Sequence, residues 1–491
     1  MIDYKTRYRE LLEFTYGPTF YNLRWMQPGE AQVADMMRQN LLEAIGDKAR
    51  FICKGNKLVY GELSPGCEHC AARTWSCLFI NNKCNARCFF CPSEQNEAEP
   101  PSTVMLYFRR PESYAAYCEK LGITGASISG GEPFLTPKRT IAFLQTCKKK
   151  LGDDFYFWLY TNGALAKPEL LQAVADAGLN EIRFDIAAWQ YNLKMIQRAV
   201  GVIPNVTVET PAIPEDLPLM KQALVDLSEM GVQYVNLHQM RMTTYNCQNL
   251  SERGYCLTEG PHPAVVESEL AALELMLFAA ENELPIGINY CSFVYRNRFQ
   301  RAAVQTQAAG FCANKWETIT ATGLIRSLAV PASGEQAERL INKMSEAQIQ
   351  EWVYVKEENK MYLTLAAYAA LNEPLPAELT YYKAALADIP KGESANSGAA
   401  EINLDKHKTI QCIRTEQFRC SLMPEDVARL AEIANAEDKD EQPPERIKPA
   451  VIKLSQDTFA GNMETEGISE TAAIWDEIEF SEHMEHGLQK Y

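Results

Sequence analysis

From Trp75 onward, short apolar runs alternate with helical segments six times over, and that rhythm leaves few folds open. Strands are predicted at residues 76–80, 126–129, 155–160, 181–184, 206–210 and 234–237, with helices at 111–120, 138–150, 168–177 and 217–230 among them. Strands joined by crossover helices lie parallel in one sheet, so the expected core is α/β, a partial (β/α)6 barrel. In barrels of this kind the chemistry sits on loops that follow the strand C-termini.

At 491 residues the chain is longer than one core usually serves. Residues 1–66 read as an aromatic-rich helical lead-in and 67–330 as the barrel, closed by a helix at 264–282 and the segment 285–291. Residues 331–390 read as a small α/β appendage, and 391–491 as a linker with an acidic C-terminal region. That last region carries about −10 of the formal net charge of −16, and mobility is expected for Glu437-Asp438-Lys439-Asp440-Glu441 and for residues 476–491.

The acidic balance argues against nucleic acid as the main partner, because phosphate binding is carried by Lys and Arg. No apolar run is long enough for a membrane span and the first residues lack a secretory h-region, so a cytoplasmic location is expected. Fifteen cysteines in such a compartment point to thiols and metal ligands rather than disulfides, and six of them fall between Cys67 and Cys91.

Cys84, Cys88 and Cys91 follow the first predicted strand, and their C-x3-C-x2-C spacing wraps three corners of an iron-sulfur cube. A cube with a cysteine on every iron typically only transfers electrons, whereas an open corner binds a cofactor or substrate. Zinc in a structural site would want a fourth ligand. Some forty residues later, after the second strand, stands Ser129-Gly130-Gly131-Glu132-Pro133.

The cysteine segment resembles the radical S-adenosylmethionine (SAM) superfamily, with Phe90 in the usual aromatic place before the last cysteine. The resemblance implies that the open iron is chelated by the amino and carboxylate groups of SAM and that one electron breaks a carbon–sulfur bond to give a 5′-deoxyadenosyl radical. It also implies that Gly130, Gly131, Glu132 and Pro133 line the methionine end of that cofactor. Thr161 and Asn162, in Tyr160-Thr161-Asn162-Gly163, resemble the superfamily's T-N-G turn. Arg183 and Asp185 at the end of the fourth strand take the place of its polar cofactor contacts, or form a plain ion pair. Glu209 and His238 end the fifth and sixth strands and face the same mouth.

Upstream, Cys67, Cys70 and Cys77 have the spacing of a second metal site. Residues 60–310 look similar to an archaeal and bacterial pyruvate formate-lyase activating-like group, which shares this lead-in, the C-N-x2-C-x-F-C-P segment and a late Tyr290-Cys291-Ser292 followed by Arg296, Arg298 and Arg301. Cys291 is the fourth ligand that likeness implies, with Cys247, Cys256 and Cys312 as rivals. Iron, as a second 4Fe-4S cluster or a single ion, is expected there, zinc being the alternative. Cys53, Cys118, Cys147, Cys412 and Cys420 read as structural.

The leading functional expectation is a radical SAM enzyme that takes hydrogen from a peptide or protein, using a reductant such as flavodoxin or ferredoxin. A small-molecule substrate and a glycyl-radical activase are the alternatives, with a non-catalytic iron-sulfur protein as the bland one.

Overall fold

The computed structural model describes the whole chain except residues 1–3, 97–98, 261, 391–398, 437–469 and 490. Six parallel strands form where the sequence predicts them, within about two residues at each end: β1 Trp75–Phe79, β2 Gly125–Ser129, β3 Tyr156–Thr161, β4 Glu181–Phe184, β5 Asn205–Pro211 and β6 Tyr234–His238. A seventh, β7 Gly287–Cys291, pairs in parallel with β6. An antiparallel hairpin, Ala49–Ile52 and Lys57–Tyr60, then extends the sheet beyond β7, so the lead-in is not helical throughout.

Alternation along the strands separates two environments. Leu78, Ile128, Leu159, Ile182, Val208, Leu237 and Ile288 are fully buried in the main apolar core. Each such side chain stabilises the fold by about 1.5–3 kcal/mol relative to exposure. Their neighbours Cys77, Ser127, Trp158, Arg183, Glu209, Asn236 and Asn289 occupy the opposite face, which is therefore unusually polar. Three of the crossover helices, Pro111–Lys120, Pro137–Leu151 and Pro168–Asp176, open on proline, whose missing N–H costs nothing in a first turn.

A second, antiparallel sheet with its own core runs from Thr318–Ile319 through Ile325–Pro331 to Lys408–Leu422. It begins before the expected boundary at 330, which falls inside a strand, and it continues past 390. The expected linker at 391–400 lies mostly outside the described residues, and so does the acidic run 437–441. The described residues of 476–491 are packed rather than loose. Helix Glu470–Glu482 buries Trp475 and Ile478 on the second sheet, Met484 packs with Cys291 and Tyr295, and Tyr491 donates to Glu269 at 2.5 Å. The charges of this segment suggested mobility, whereas its apolar residues decide its position. Among the described residues no helix is long and apolar enough to cross a membrane.

Candidate active site

The loop after β1 carries Cys84, Cys88 and Cys91. Its backbone closes through Cys84 N–H to the Gln95 carbonyl at 3.1 Å and Cys91 N–H to the Cys88 carbonyl at 3.1 Å. Cys88 and Cys91 border a cavity of about 270 Å³ together with Arg87, Gln95, Tyr245 and Asn249. Burial, with Asp185 close by, pushes the Cys88 thiol up, and burial does the same to Cys91. A bound metal reverses this, since ligation displaces the proton.

The strand that follows supplies a close backbone approach. Gly130 and Gly131 have φ of +82° and +61°, and a Cβ on Gly131 would stand 2.1 Å from the Lys83 carbonyl oxygen. Only glycine fits there, and the main chain is thereby laid directly against the cysteine loop. Glu132 plays another part than the expected one. Its fully buried carboxylate accepts from Phe134 N–H at 3.0 Å, Thr161 Oγ1 at 2.9 Å and Asn162 N–H at 2.8 Å, so it braces the β2 and β3 ends together. Burial raises its pKa, and these three donors oppose the rise. Pro133 is buried at the start of the turn Pro133–Leu135.

Thr161 is thus spent on Glu132, while Asn162 faces the cysteines. Its Nδ2 lies 2.7 Å from Asn85 Oδ1 and 3.7 Å from Cys84 Sγ. Asp185 stands beside Cys88 and accepts from Ala187 N–H at 3.1 Å; burial lifts its pKa to about 7 despite that bond. Phe90 does not line the mouth: it is buried with Leu23, Ile213, Met240 and Met242. Its carbonyl accepts from Asn246 at 3.0 Å, and Thr243 donates to Pro92 O at 3.0 Å, so the segment after β6 clamps the cysteine loop.

Residues 78–209 match the family model of the radical SAM superfamily. That segment is a radical SAM domain. A Methanocaldococcus jannaschii protein bearing the name of a glycyl-radical enzyme activating enzyme is 26% identical over 284 residues, 54% of this chain and 73% of that protein. A GTP 3',8-cyclase of Aquifex aeolicus is 29% identical over 126 residues, 25% of this chain and 38% of the cyclase. The crystal structure of Streptococcus suis SuiB bound to S-adenosylmethionine overlaps 59% of this chain and 61% of its own at 11% identity and a TM-score of 0.31. The chain therefore spans less than two thirds of the cyclase and of SuiB.

In this chain Arg183 is engaged entirely within the protein. It pairs with Glu181 at 2.7 Å and Glu209 at 3.1 Å and makes no ion pair with Asp185 among the described residues. Glu209 also receives Asn236 and stands 3.7 Å from Arg296 and 3.8 Å from His238. His238 Nδ1 and Arg241 Nε are buried without a hydrogen-bond partner. Burial, with Arg296 and Arg241 nearby, holds the His238 pKa well below its usual 6.5.

The second cysteine set differs from the expected one. Cys77 lies on β1 among Ser127, Arg296 and Glu209, not with Cys67 and Cys70. Cys53, read as structural, takes its place: it packs against Cys291 and Tyr295, and Cys67 and Cys70 also lie near Lys57. The hairpin turn that carries Cys53 was legible, but its contact across the sheet edge was not. Cys247 and Cys256 are buried in other clusters, and Cys312 lies 3.2 Å from Cys412.

Proposed function

We propose that Cys84, Cys88 and Cys91 hold a 4Fe-4S cluster with one open iron, and that SAM binds there between Gly130-Gly131, Asn162 and Asp185. The donor set fits: three thiols in one loop, a glycine pair that lays the end of β2 directly against that loop, and a cavity at Cys88 and Cys91. When bound, this pair supplies an electron-driven carbon–sulfur cleavage that yields a 5′-deoxyadenosyl radical, able to take hydrogen from a substrate. The protein orients it. Asn162 ties the cysteine loop to the end of β3, and Asn246 and Thr243 hold its other side.

The substrate carries a carboxylate or phosphate, on a small molecule or a peptide. One observation supports this: Arg241 Nε and His238 Nδ1 are buried and unpartnered, with Cys91 close to Arg241 and Arg296 close to both. Buried polar groups are almost always satisfied, so the Arg241 guanidinium is suited to an anion and the neutral His238 ring to a hydrogen bond from or to the same ligand. A second reading, activation of a glycyl-radical enzyme, is favoured by the name of the M. jannaschii relative. Flavodoxin or ferredoxin in the cytoplasm would supply the electron in either case.

The test is anaerobic reconstitution followed by reduction. The protein should convert SAM to methionine and 5′-deoxyadenosine, and Cys88→Ala should abolish this. Deuterium from a labelled carboxylate- or phosphate-bearing substrate should reach 5′-deoxyadenosine in the intact protein and much less so in Arg241→Ala. Transfer only from a glycine of a partner protein would establish the second reading instead.

A further inference from the structure

The hairpin beyond β7 sets up an unassigned site. Its register, Tyr290 opposite Leu58, carries Lys57 alongside Cys291, and its turn presents Cys53 and Lys54 at φ of +53° and +56°. Consecutive non-glycine residues in the left-handed region persist only where the surroundings demand them. From below, helix Pro65–Ala71 delivers Cys67 and Cys70, anchored by Gly66 N–H on Glu181 at 3.0 Å.

These four thiols sit among donors. Cys67 Sγ receives Arg183 Nη2 at 3.4 Å and Asn289 Nδ2 at 3.6 Å, and Cys70 Sγ receives Gln300 Nε2 at 2.9 Å. Arg296 lies beside Cys291. Lys57 is 1% exposed, stacks 4.4 Å from the Tyr295 ring, and has the four cysteines as its charge partners, with no carboxylate among them. The Tyr295 hydroxyl is fully buried beside them, without a partner of normal geometry.

We propose that Cys53, Cys67, Cys70 and Cys291 hold a second 4Fe-4S cluster, one cysteine on each iron. The N–H groups aimed at the sulfurs of Cys67 and Cys70 make a setting that suits metal-bound thiolate. A single zinc fits less well, because all its ligands must meet one ion at about 2.3 Å. Among the described residues no three His, Cys, Asp or Glu donors stand close enough to share one ion, and this is true of Cys84, Cys88 and Cys91 as well. With every iron ligated, the second cluster has no corner for SAM. It does not depend on the reaction assigned to the first.

Metal and sulfide analysis, with Mössbauer spectra, of the anaerobically reconstituted full chain tests the assignment. About eight irons and eight sulfides per chain are expected for the unaltered protein, and about four of each for C84A/C88A/C91A. Cys53→Ala should lower the second cluster's content while Cys77→Ala leaves it intact. A triad-deleted protein that folds by its thermal melt but carries no iron-sulfur, or carries zinc instead, overturns the proposal. So does loss of the second cluster in Cys77→Ala with retention in Cys53→Ala. The triad-deleted protein keeps all four proposed ligands, so the result does not rest on whether their variants fold.

Discussion

Arg183 Nη2 lies 3.4 Å from the sulfur of Cys67 while the same guanidinium holds Glu209 at 3.1 Å through Nη1. One side chain thus joins the cysteine set beneath the sheet to the polar network that leads up to the mouth. Glu181 takes the Nε at 2.7 Å. Every donor direction is used inside the protein.

Replacing it should therefore be severe. Arg183→Met leaves Glu181 and Glu209 buried without their cation, and a loss of about 3–5 kcal/mol is expected. Chemical denaturation measures it. E181Q/R183M/E209Q should recover part of the loss, because the uncompensated charges go with the arginine.

Gly131→Ala tests the close approach of β2 to the cysteine loop. The added Cβ meets the Lys83 carbonyl and the positive φ becomes strained, together worth at least about 1–3 kcal/mol locally. SAM affinity, measured by equilibrium binding to the reconstituted protein, should fall sharply while the far-UV spectrum of the sheet is retained.

Asn246→Ala removes a buried clamp. Asn246 Nδ2 donates to the carbonyls of Phe90 at 3.0 Å and Arg241 at 2.9 Å, and leaving these unsatisfied costs about 1–3 kcal/mol. Faster loss of iron from the first cluster to a chelator is the expected readout. Iron at the second set should leave at an unchanged rate.

His238 gives a pH dependence with a definite sign. Its folded-state pKa lies below the usual 6.5, because burial and two arginines oppose a further positive charge. The unfolded chain takes up a proton near pH 6.5 that the folded protein refuses. Stability is therefore fully present above that pH and falls below it, by about 1.4 kcal/mol per pH unit for this one group. Melting of His238→Gln should vary less between pH 7 and 5 than melting of the unaltered protein.

Much of this site was legible because its signals are local. Cys84, Cys88 and Cys91 lie within eight residues of each other, and the Gly130-Gly131 turn follows an apolar strand, so spacing alone placed both at neighbouring strand ends. Glu132 and Arg183 were misread for a common reason. Glu132 was placed by resemblance within its motif and Arg183 by its place at a strand end, whereas what a side chain contacts depends on which partners the neighbouring strands bring. Cys53 was missed because its fourteen-residue separation from Cys67 resembles no ligand spacing; antiparallel pairing of its hairpin with β7 brings it in.

The parallel β/α core and the first cysteine loop could be read from local windows, because hydrophobic period and short-range turn chemistry act within a few residues. Long-range contacts set the rest: β7 and its hairpin, the docking of Tyr491 on Glu269, and the approach of Cys53, Cys67, Cys70 and Cys291 to Lys57. Those contacts join segments tens to hundreds of residues apart. Strand register and the burial of charge choose such partners, and neither is written in a local window of sequence.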